Sequence, residues 1–399
     1  MGKIEMEKCK LGDYLELQRG FDLTSSQMQD GDVVVAGSNG IIGYHNTPKG
    51  NNPCITVGRS GSVGKVHYYD QPTWVHNTAL YVKDFKGNNP KYLYYYLMNL
   101  HLDKIFGSGS SVVPSLDRKD VHALVVPFNC DREQQDKIAN VLSLLDKKIN
   151  INRSINQNLE ALAKQIYDYW FVQFDFPNEE GKPYKSSGGV MVYSNKVRRN
   201  IPSNWEIKEL GNTCEILLGG TPDTGNESYW GGAYSWLNSG EVAEFPILKS
   251  EKTITEEGLN SSATAYAPKG SVTLSITRHL RPSILAIDAC INQSVVAIKE
   301  TENIRKEYLY PLINREIPRY MTLRTGAQQP HINKETVEST WIMIPTTDIL
   351  GKYYKIVTPI YRSIIGNAIE IENLTMQRDE LLPLLMNGQV SLNSDLSAY

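Results

Sequence analysis

The chain repeats itself, and this duplication constrains its fold more than any other feature of the sequence. Tyr92-Leu93-Tyr94 recurs 216 residues later (308 − 92 = 216) as Tyr308-Leu309-Tyr310. Other matches keep that offset: Asn77-Thr78 with Gln293-Ser294, Lys83 with Lys299, Pro114 with Pro330, and Val121 with Val337. Leu11-Gly12 matches Leu210-Gly211 at an offset of 199 (210 − 11 = 199). Ordered matches of this kind predict two copies of one domain.

Each copy has the same predicted order of elements. A strand-rich part punctuated by Gly, Pro and Asn comes first, for example DVVVAGSNGIIGY in copy one and SVTLSITRH in copy two. A short helix follows (KYLYYYLMNLHL or EYLYPLINREI), then a polar loop, a short strand ending in proline, and a long helix. A length of 399 residues agrees with two or three domains.

The first long helix is predicted from Asp131 to Trp170, about 60 Å at ~1.5 Å per residue. Asp131 with Gln134 resembles a capping box. Apolar residues follow a heptad spacing with one slip, which predicts a helix-pairing stripe. The stripe consists of Ile138, Leu142, Leu145, Ile149, Ile155, Leu159, Leu162 and Ile166.

The second long helix has a less regular stripe, which consists of Val357, Tyr361, Ile364, Ala368, Ile371, Leu381 and Leu385. Pro359 and Gly366 interrupt the pattern, so either the helix kinks or a new helix starts with Thr358 as its cap. Gly388 is a plausible stop. Either stripe could pack on its own domain, but two long helices at corresponding places favour antiparallel pairing.

The predicted fold class is therefore α+β. Two tandem mixed α/β domains are separated by two long helices that pair as an antiparallel coiled coil, which gives a pseudo-two-fold internal repeat. The expected boundaries are a first domain over 1–130, the first long helix over 131–176, a linker over 177–200, a second domain over 201–346, and a C-terminal helix and tail over 347–399.

Composition restricts the class of protein only loosely. The net charge of −3 counts mildly against nucleic-acid binding, but phosphates respond to a local basic cleft rather than to the total charge. The five cysteines show no C-x-x-C pair, which argues against disulfides or zinc and for a reducing compartment. The sequence has no signal core or membrane-length apolar run, so we expect a cytoplasmic protein.

Enzyme motifs are missing from the sequence. GRSGSVGK, from Gly58 to Lys65, has five residues rather than four before Gly-Lys, and Val66 follows, so it does not fit a phosphate-binding loop. We find no H-E-x-x-H, no G-x-S-x-G and no dinucleotide G-x-G-x-x-G. N-P-P-Y and D-P-P-Y, which hold a flipped adenine in methyltransferases, are also missing. We therefore expect no catalytic residues, no metal site and no enzyme acting alone.

Polar loops at repeated positions are the candidate DNA contacts. They supply Arg59, Ser60, Ser62, Lys65, Ser108, Ser110 and Ser111 in copy one, and Thr277, Arg278, His279, Arg281, Arg324, Gln328, Gln329 and His331 in copy two. Arginine can bind guanine with two hydrogen bonds, and serine, threonine or lysine can hold phosphate. The alternative is that these are solvated surface loops that have drifted apart in sequence.

Asn77 and Gln293 occupy the same repeat position. An amide at this position could pair with adenine or could cap a turn through its own backbone, and the sequence does not decide between these roles. Different side chains in the two copies would suit two different half-sites.

Three features resemble the specificity subunits of type I restriction–modification systems. The first is I-P-x-x-W-x-x-x-x-L-G from Ile201 to Gly211, with G-G-T-P from Gly219 to Pro222. The second is W-F-V-x-F-x-F-P from Trp170 to Pro177, and the third is the duplicated order of domain and helix. Copy one lacks the I-P-x-x-W phrase, and the second helix contains Pro359.

The resemblance implies that each domain is a target-recognition domain for one half of a bipartite site in double-stranded DNA. The helix pair would set the spacer, with half-sites ~34–36 Å apart, about one helical turn. It implies two modification subunits, which bind S-adenosylmethionine and dock on the helices and outer faces. It also implies two restriction subunits that use ATP and Mg. This chain would hold no cofactor itself.

Two other classes remain as alternatives. One is a duplicated interaction scaffold that binds protein or glycan, which a steep salt dependence of DNA binding would exclude. The other is an enzyme with an unrecognised site. Within the resembled family, the chain could also serve a methylation-only system.

Overall fold

The computed structural model describes residues 6–107, 115–326 and 330–392. Its contacts divide the chain into two compact units. The first unit combines Met1–Asn150 with Glu372–Tyr399, and the second is Ile151–Ile371. Each unit therefore contains one mixed α/β domain and a part of both long helices.

The first domain and the long helix that leaves it have elements with these bounds: β1 (Glu7–Lys10), α1 (Leu11–Tyr14), β2 (Glu16–Arg19), β3 (Val33–Gly37), β4 (Gly40–His45), β5 (Cys54–Gly58), β6 (Val66–Tyr69), β7 (Thr73–Val75), β8 (Ala79–Asp84), α2 (Pro90–Asn99), α3 (Leu102–Phe106), α4 (Arg118–Ala123), β9 (Val125–Phe128) and α5 (Arg132–Tyr167). A turn of π-helix, Asp168–Val172, follows α5.

The remaining elements have these bounds: β10 (Met191–Ser194), β11 (Arg199–Pro202), β12 (Glu206–Glu209), β13 (Ile216–Leu218), β14 (Trp230–Leu237), β15 (Lys252–Ile254), α6 (Glu256–Asn260), β16 (Ala265–Ala267), β17 (Val272–Ser275), β18 (Pro282–Ile284), β19 (Ala289–Ile291), β20 (Val295–Ile298), α7 (Lys306–Thr322), α8 (Lys334–Glu338), β21 (Trp341–Ile344) and α9 (Thr347–Met386). The hairpin β10–β11 begins in the interval predicted as a linker, 177–200, and ends at Pro202, inside the predicted second domain.

The sheets of the two domains have matching topologies. The order β2-β8-β5-β6 in the first corresponds to β13-β20-β17-β18 in the second. The order β4-β3-β7 corresponds to β15-β14-β19, with β16 added at the edge, and β3–β7 and β14–β19 are both parallel pairs. The β1–β9 ladder corresponds to β12–β21. The duplication predicted from the sequence is confirmed.

The segment Trp170–Pro177, which follows α5, packs against the segment Ile201–Gly211, which opens the second domain. Trp205 lies with its ring centroid 5.9, 5.4 and 5.4 Å from those of Phe171, Phe174 and Phe176. Their cluster also contains Ile201 and buried residues of α7 and α9. Because aromatic side chains bury large apolar areas, this cluster stabilises the join between the end of α5 and the second domain.

Helix α5 starts at Arg132, one residue after its predicted cap. The Asp131 Oδ1 accepts hydrogen bonds from the N–H groups of Glu133 (2.9 Å) and Gln134 (3.3 Å). The reciprocal half of the predicted capping box is not formed, because the Asp131 N–H donates to the Asn129 Oδ1 instead (2.9 Å).

Helix α9 continues through Pro359 and Gly366 for 40 residues, so no new helix starts at Thr358. Proline removes the hydrogen bond to the carbonyl four residues earlier. That residue, Lys355, is exposed, as is Pro359 itself, so water can replace the lost bond. The proline is therefore tolerated on the solvent side of the helix.

Gly388 ends α9 as predicted. It has a φ of 67°, the left-handed conformation that favours glycine. The Gly388 N–H donates to the Leu385 carbonyl (3.3 Å), and the Gln389 N–H donates to the Leu384 carbonyl (2.9 Å). These two bonds are the Schellman pattern, which satisfies the last carbonyls of the helix.

The long helices pair in an antiparallel manner. In the second unit, Asn152 of α5 contacts Glu370 of α9, and Asn156 contacts Asn367, so partner numbers fall along α9 as they rise along α5. Most of the predicted stripe is buried or half-buried: Ile138, Leu142, Leu145, Ile149, Leu159, Ile166, Val357, Tyr361, Ile364, Ala368, Ile371, Leu381 and Leu385.

The prediction that Ile155 and Leu162 lie on the pairing face was wrong. Ile155 and Leu162 are 42% and 44% exposed. The buried positions are Asn152, Asn156 and Ala163, which continue the three- and four-residue steps from Ile149 without a slip. The sequence pattern failed here because polar residues occupy the pairing face, while apolar residues about 100° away resemble its continuation.

Several sequence expectations concern chemistry at the level of the whole chain. None of the five cysteines is in a disulfide. Among residues 6–107, 115–326 and 330–392, no three histidine, cysteine or acidic side chains cluster as a metal site. In the same ranges, no helix combines the length and the apolarity that a membrane crossing requires.

We predict opposite effects of the same substitution at two glycines of the C-terminal segment. Gly388→Ala should lower the free energy of unfolding by about 1 kcal/mol, because alanine is strained at positive φ. Gly366→Ala should raise it by roughly 0.5–1 kcal/mol, since a Cβ there meets nothing within 4 Å and alanine favours helix. Urea unfolding followed by circular dichroism measures both, and a stabilising Gly388→Ala would contradict the cap.

Candidate nucleic-acid interface

The loop between β5 and β6 carries Arg59 and is held by backbone hydrogen bonds. The Arg59 N–H donates to the Thr78 carbonyl, and the Leu116 N–H donates to the Arg59 carbonyl, both at 2.8 Å. Ser60 also forms a β-bridge with Ser115. Gly58 permits the tight loop, because a Cβ there would lie 1.9 Å from the Ser62 carbonyl oxygen. The loop therefore fixes Arg59 beside the segments after β7 and before α4.

A polar cleft of 680 Å³ lies next to this loop. Its charged lining residues are Arg19, Asp22, Lys49, Arg59, Asp117 and Arg118. Arg19 pairs with Asp22 at 3.4 Å, and the Asp117 carboxylate caps α4. Lys49, Arg59 and Arg118 form no ion pair with a described carboxylate. The cleft consequently has uncompensated positive charge, which attracts phosphate.

Arg19, Lys49 and Arg118 line this cleft but were not among the DNA contacts predicted from the sequence. Lys49 is isolated in the sequence, and its Nζ lies 4.2 Å and 5.1 Å from the ring centroids of Phe21 and Trp74. Only Arg19 had a usable signal, since it directly precedes Gly20, which matches Gly219 at the offset of 199.

His122, which lies near Arg118, does not add positive charge to the cleft. The His122 Nε2 accepts a hydrogen bond from the Leu17 N–H at 2.8 Å. Burial lowers the pKa of His122, and the nearby charges of Arg118 and Lys86 lower it further. The imidazole is therefore held as a neutral acceptor that supports β2 at the side of the cleft.

The repeated amide position is built in the same way in both domains. The Asn77 Nδ2 donates to the Asp22 Oδ1, and the Thr221 Oγ1 donates to the Gln293 Oε1 at 2.5 Å. Gly20 and Gly219 precede these partners, and a Cβ at either would meet a backbone carbonyl oxygen at 2.3 or 1.9 Å. Equivalent backbone therefore presents an amide tied to a carboxylate in one copy and to a hydroxyl in the other.

The loop between β17 and β18 corresponds to the Arg59 loop with a shift of one residue. The Ile276 N–H donates to the Ser294 carbonyl (2.9 Å), and the Ile332 N–H donates to the Ile276 carbonyl (3.0 Å). Thr277 bridges His331. Ile276 thus occupies the place of Arg59 and Thr277 that of Ser60, within loops that correspond as the sequence predicted. The second loop is one residue shorter.

Arg278 instead corresponds to Gly61. Both have positive φ, 54° and 85°. An arginine in the left-handed region carries a cost of roughly 1–2 kcal/mol. The Arg324 Nη1 donates to the Arg278 carbonyl at 3.4 Å. The side chains of Arg278, His279 and Arg281 are exposed and have no hydrogen bond or ion pair with a described residue. Arg278 therefore presents an exposed guanidinium from a strained backbone position.

The remaining predicted contacts are distributed around these loops. The Lys65 Nζ donates to the Asn39 Oδ1 at 2.8 Å, and Ser62 is half-buried. His331 pairs through its backbone with Thr325. Ser108, Ser110, Ser111, Gln328 and Gln329 lie outside the described residues.

Comparison with known proteins identifies the family of this two-domain chain. The model of the "Type I restriction modification DNA specificity domain" matches residues 3–161 and again residues 202–374. The chain belongs to this family. The two matches correspond to the two copies found in the sequence and in the sheets.

Curated relatives and one solved structure agree with this family. The MjaIX type I restriction enzyme specificity subunit of Methanocaldococcus jannaschii is 26% identical over 310 residues, which cover 75% of this chain and 69% of the relative. The HindI specificity subunit of Haemophilus influenzae is 22% identical over 356 residues, covering 75% and 77%. The crystal structure of the type I S subunit from M. genitalium matches with a TM-score of 0.64 at 15% identity over 97% of each chain, and supports the fold.

Family membership fixes the general role of the chain. It is a specificity subunit of a type I restriction–modification complex and recognises a DNA target. Such a subunit supplies target recognition and not the chemistry of methylation or cleavage, as the sequence analysis predicted. The family thereby favours DNA recognition over the scaffold and enzyme alternatives.

We predict that Arg278→Ala and Arg278→Gly separate charge from strain. Both remove the guanidinium and should weaken DNA binding equally. The glycine variant should be more stable than the alanine variant by about 1 kcal/mol, because only alanine is strained at this φ. Urea unfolding and fluorescence anisotropy with target DNA measure the two effects. Equal stabilities would show that the loop holds no strain at residue 278.

Proposed function

We propose that each domain binds one half of a bipartite target in double-stranded DNA through its cationic loop cluster. The supporting observation is that the equivalent loops β5–β6 and β17–β18 both carry arginines that form no ion pair with a described carboxylate, Arg59 in the first domain and Arg278 and Arg281 in the second. Arg118, at the start of α4, lines the cleft together with Arg59. The scaffold of these loops is duplicated, whereas their side chains differ. Such an arrangement suits two different half-sites read by one protein.

Electrostatics explains how a chain of net charge −3 can bind DNA. Affinity for DNA comes largely from cations that neutralise phosphates and release counterions. Arg59, Arg118, Arg278 and Arg281 form no ion pair with a described carboxylate, whereas other cations do, such as Lys83 with Glu16 and Lys299 with Glu215. These four guanidinium groups are therefore available to meet phosphates.

Arg59 and Arg278 are the proposed base readers, with Asn77 and Gln293 as secondary candidates. Arginine binds guanine through O6 and N7, and amides bind adenine through N6 and N7. The amide of Asn77 bonds the side chain of Asp22, and that of Gln293 bonds the side chain of Thr221. No hydrogen bond between described residues joins either amide to its own backbone, so the adenine contact is the role we propose for them. The serine, threonine and lysine side chains of the loops would hold phosphates.

The helix pair has a second proposed role as a docking surface for two modification subunits. Leu144, Ile151, Ile155 and Leu162 of α5 are 64%, 48%, 42% and 44% exposed. Steps of seven, four and seven residues place them on one face of the helix, away from the pairing face. An exposed apolar stripe of heptad spacing fits a partner helix.

By the same family relation, the partner subunits would supply the cofactors. The modification subunits would bind S-adenosylmethionine and methylate adenine, and two restriction subunits would use ATP and Mg. A methylation-only system would have the same recognition and docking surfaces without the restriction subunits.

We predict that Arg59→Ala and Arg278→Ala each weaken specific DNA binding by the assembled enzyme by about 1–3 kcal/mol. Wild-type binding should also fall steeply as the salt concentration rises, because phosphates are engaged. Lys182→Ala, which removes an exposed lysine paired with Glu180, is the matched control and should bind normally. Wild-type affinity in both arginine variants at physiological salt would contradict the assignment.

We predict that Ile155→Asp with Leu162→Asp abolishes co-purification of the modification subunit, because two carboxylates would be buried in an apolar interface. The control is Asn150→Asp with Gln157→Asp, which adds the same two negative charges, also seven residues apart, on a different exposed face of α5. Size-exclusion chromatography of the co-expressed subunits measures assembly. Loss of assembly in both variants, or in neither, would contradict docking on the stripe.

A further inference from the structure

We propose that polar side chains on the pairing faces of α5 and α9 hold the two helices in one register, and thereby determine the spacer length that the enzyme accepts. They are Asp146, Asn152 and Asn156 on α5 and Asn367, Glu370 and Arg378 on α9. This inference rests on the proposed function, since it concerns the distance between two half-sites.

In the second unit, two buried asparagines bridge the helices. Asn152 is 6% exposed, and its Nδ2 donates to the Glu370 Oε2 at 2.9 Å. Asn156 is 8% exposed, and its Nδ2 donates to the Ile364 carbonyl at 3.0 Å. Its Oδ1 accepts from the Asn367 Nδ2 at 2.9 Å. Both the donor and the acceptor of the Asn156 amide are thus satisfied by α9.

In the first unit, an ion pair performs the same task. The Arg378 Nη1 donates to the Asp146 Oδ1 at 2.9 Å, and the two side chains are 20% and 24% exposed. The other carboxylate oxygen accepts from the Tyr95 hydroxyl at 2.6 Å. Tyr95 belongs to α2, so this contact ties the paired helices to the first recognition domain.

Slipping one helix by a heptad would break the polar contacts between the helices, although Arg378 would keep Asp379 and Asp146 would keep Tyr95. Asp146 would face Leu385 or Ile371 in the two possible directions, and Asn156 would face Leu374 or Ile360. Arg378 would face Ala139 or Arg153. A buried polar group without a hydrogen bond costs roughly 1–3 kcal/mol, so each slip is disfavoured at several positions at once.

The same residues contribute less to stability than to register. Well-packed apolar side chains in place of buried polar pairs are often neutral or stabilising. Apolar seams, however, tolerate alternative registers, whereas a single buried asparagine can select one. The polar positions therefore act as positioning residues and do not touch the DNA.

Register affects domain spacing because each unit is anchored on both helices. The first core contains Ile138 of α5 with Leu385 of α9, and the second contains Tyr167 of α5 with Tyr353 of α9. Motion of one helix along the other must shift one anchor. A heptad corresponds to ~10 Å along a helix, about three base pairs at ~3.4 Å each.

The test is the double variant Asn156→Leu with Asn367→Leu, matched by Asn150→Leu with Asn373→Leu, two exposed asparagines of the same helices, of which Asn150 lies on neither the pairing face nor the exposed apolar stripe of α5. Each is co-expressed with the native modification subunit, and methylation is mapped on DNA containing the target with its normal spacer and with about three base pairs added or removed, the change that a slip by one heptad predicts. We expect the pairing-face variant to unfold at the same or a higher temperature and to methylate altered spacers at least tenfold more than wild type. The matched control should not differ from wild type.

A second pair of variants keeps the test decisive if the leucine variant fails to assemble. Asp146→Arg alone places two arginines together, so the enzyme should accept altered spacers. Asp146→Arg combined with Arg378→Asp re-forms the ion pair with its charges exchanged, so the enzyme should again accept only the normal spacer. An unchanged spacer in a folded leucine variant, or in Asp146→Arg, would overturn the inference. Absence of any split target with the wild-type chain would instead overturn the proposed function.

Discussion

The pairing of α5 with α9 is the interaction on which the rest of the structure depends. Neither helix belongs to one domain alone, because each contributes buried residues to the core of both units. Phe171 and its aromatic neighbours fasten the end of α5 to the second domain, and Leu382, Leu385 and Met386 fasten the end of α9 to the first. A domain that leaves the helix pair would therefore expose its own core.

Because the helix pair and the sheets support both domains, the two copies can keep the same backbone while their exposed loop side chains differ. The sheet order, the close approaches at Gly20 and Gly219, and the backbone hydrogen bonds around Arg59 and Ile276 are equivalent in both copies. The exposed side chains on that scaffold differ. A rigid support with variable loops lets recognition change without disturbing the core.

Much of the architecture could be predicted from the sequence because its signals are local or periodic. The repeat offset gave the two domains, and the apolar steps from Ile138 to Ile149 gave the start of the pairing face. The prediction was wrong at Ile155 and Leu162, where the pairing face turns polar and the outer face turns apolar. Periodicity alone cannot tell an inner stripe from an outer one, since both have helical spacing.

The candidate site was less accessible to sequence reasoning. Arg59 and Arg278 were identified from their loops, but the hydrogen bonds show that Ile276, and not Arg278, lies at the position equivalent to Arg59. Lys49 and Arg118 come from distant parts of the chain and meet at the cleft through tertiary structure. The positive φ of Arg278 is likewise a property of the folded loop, since most arginines avoid that region.

The central claim is that each domain reads its own half of a split DNA target. A domain exchange tests it most directly. Residues 201–346 are replaced by the corresponding segment of a relative with a different known target, and methylated sites are mapped in cells that express the native modification subunit. We expect a split motif in which one half keeps the sequence read by the parent chain and the other half becomes that of the donor, with the spacer unchanged. A change in both halves, or in neither, in a chain that assembles and methylates DNA would contradict the account.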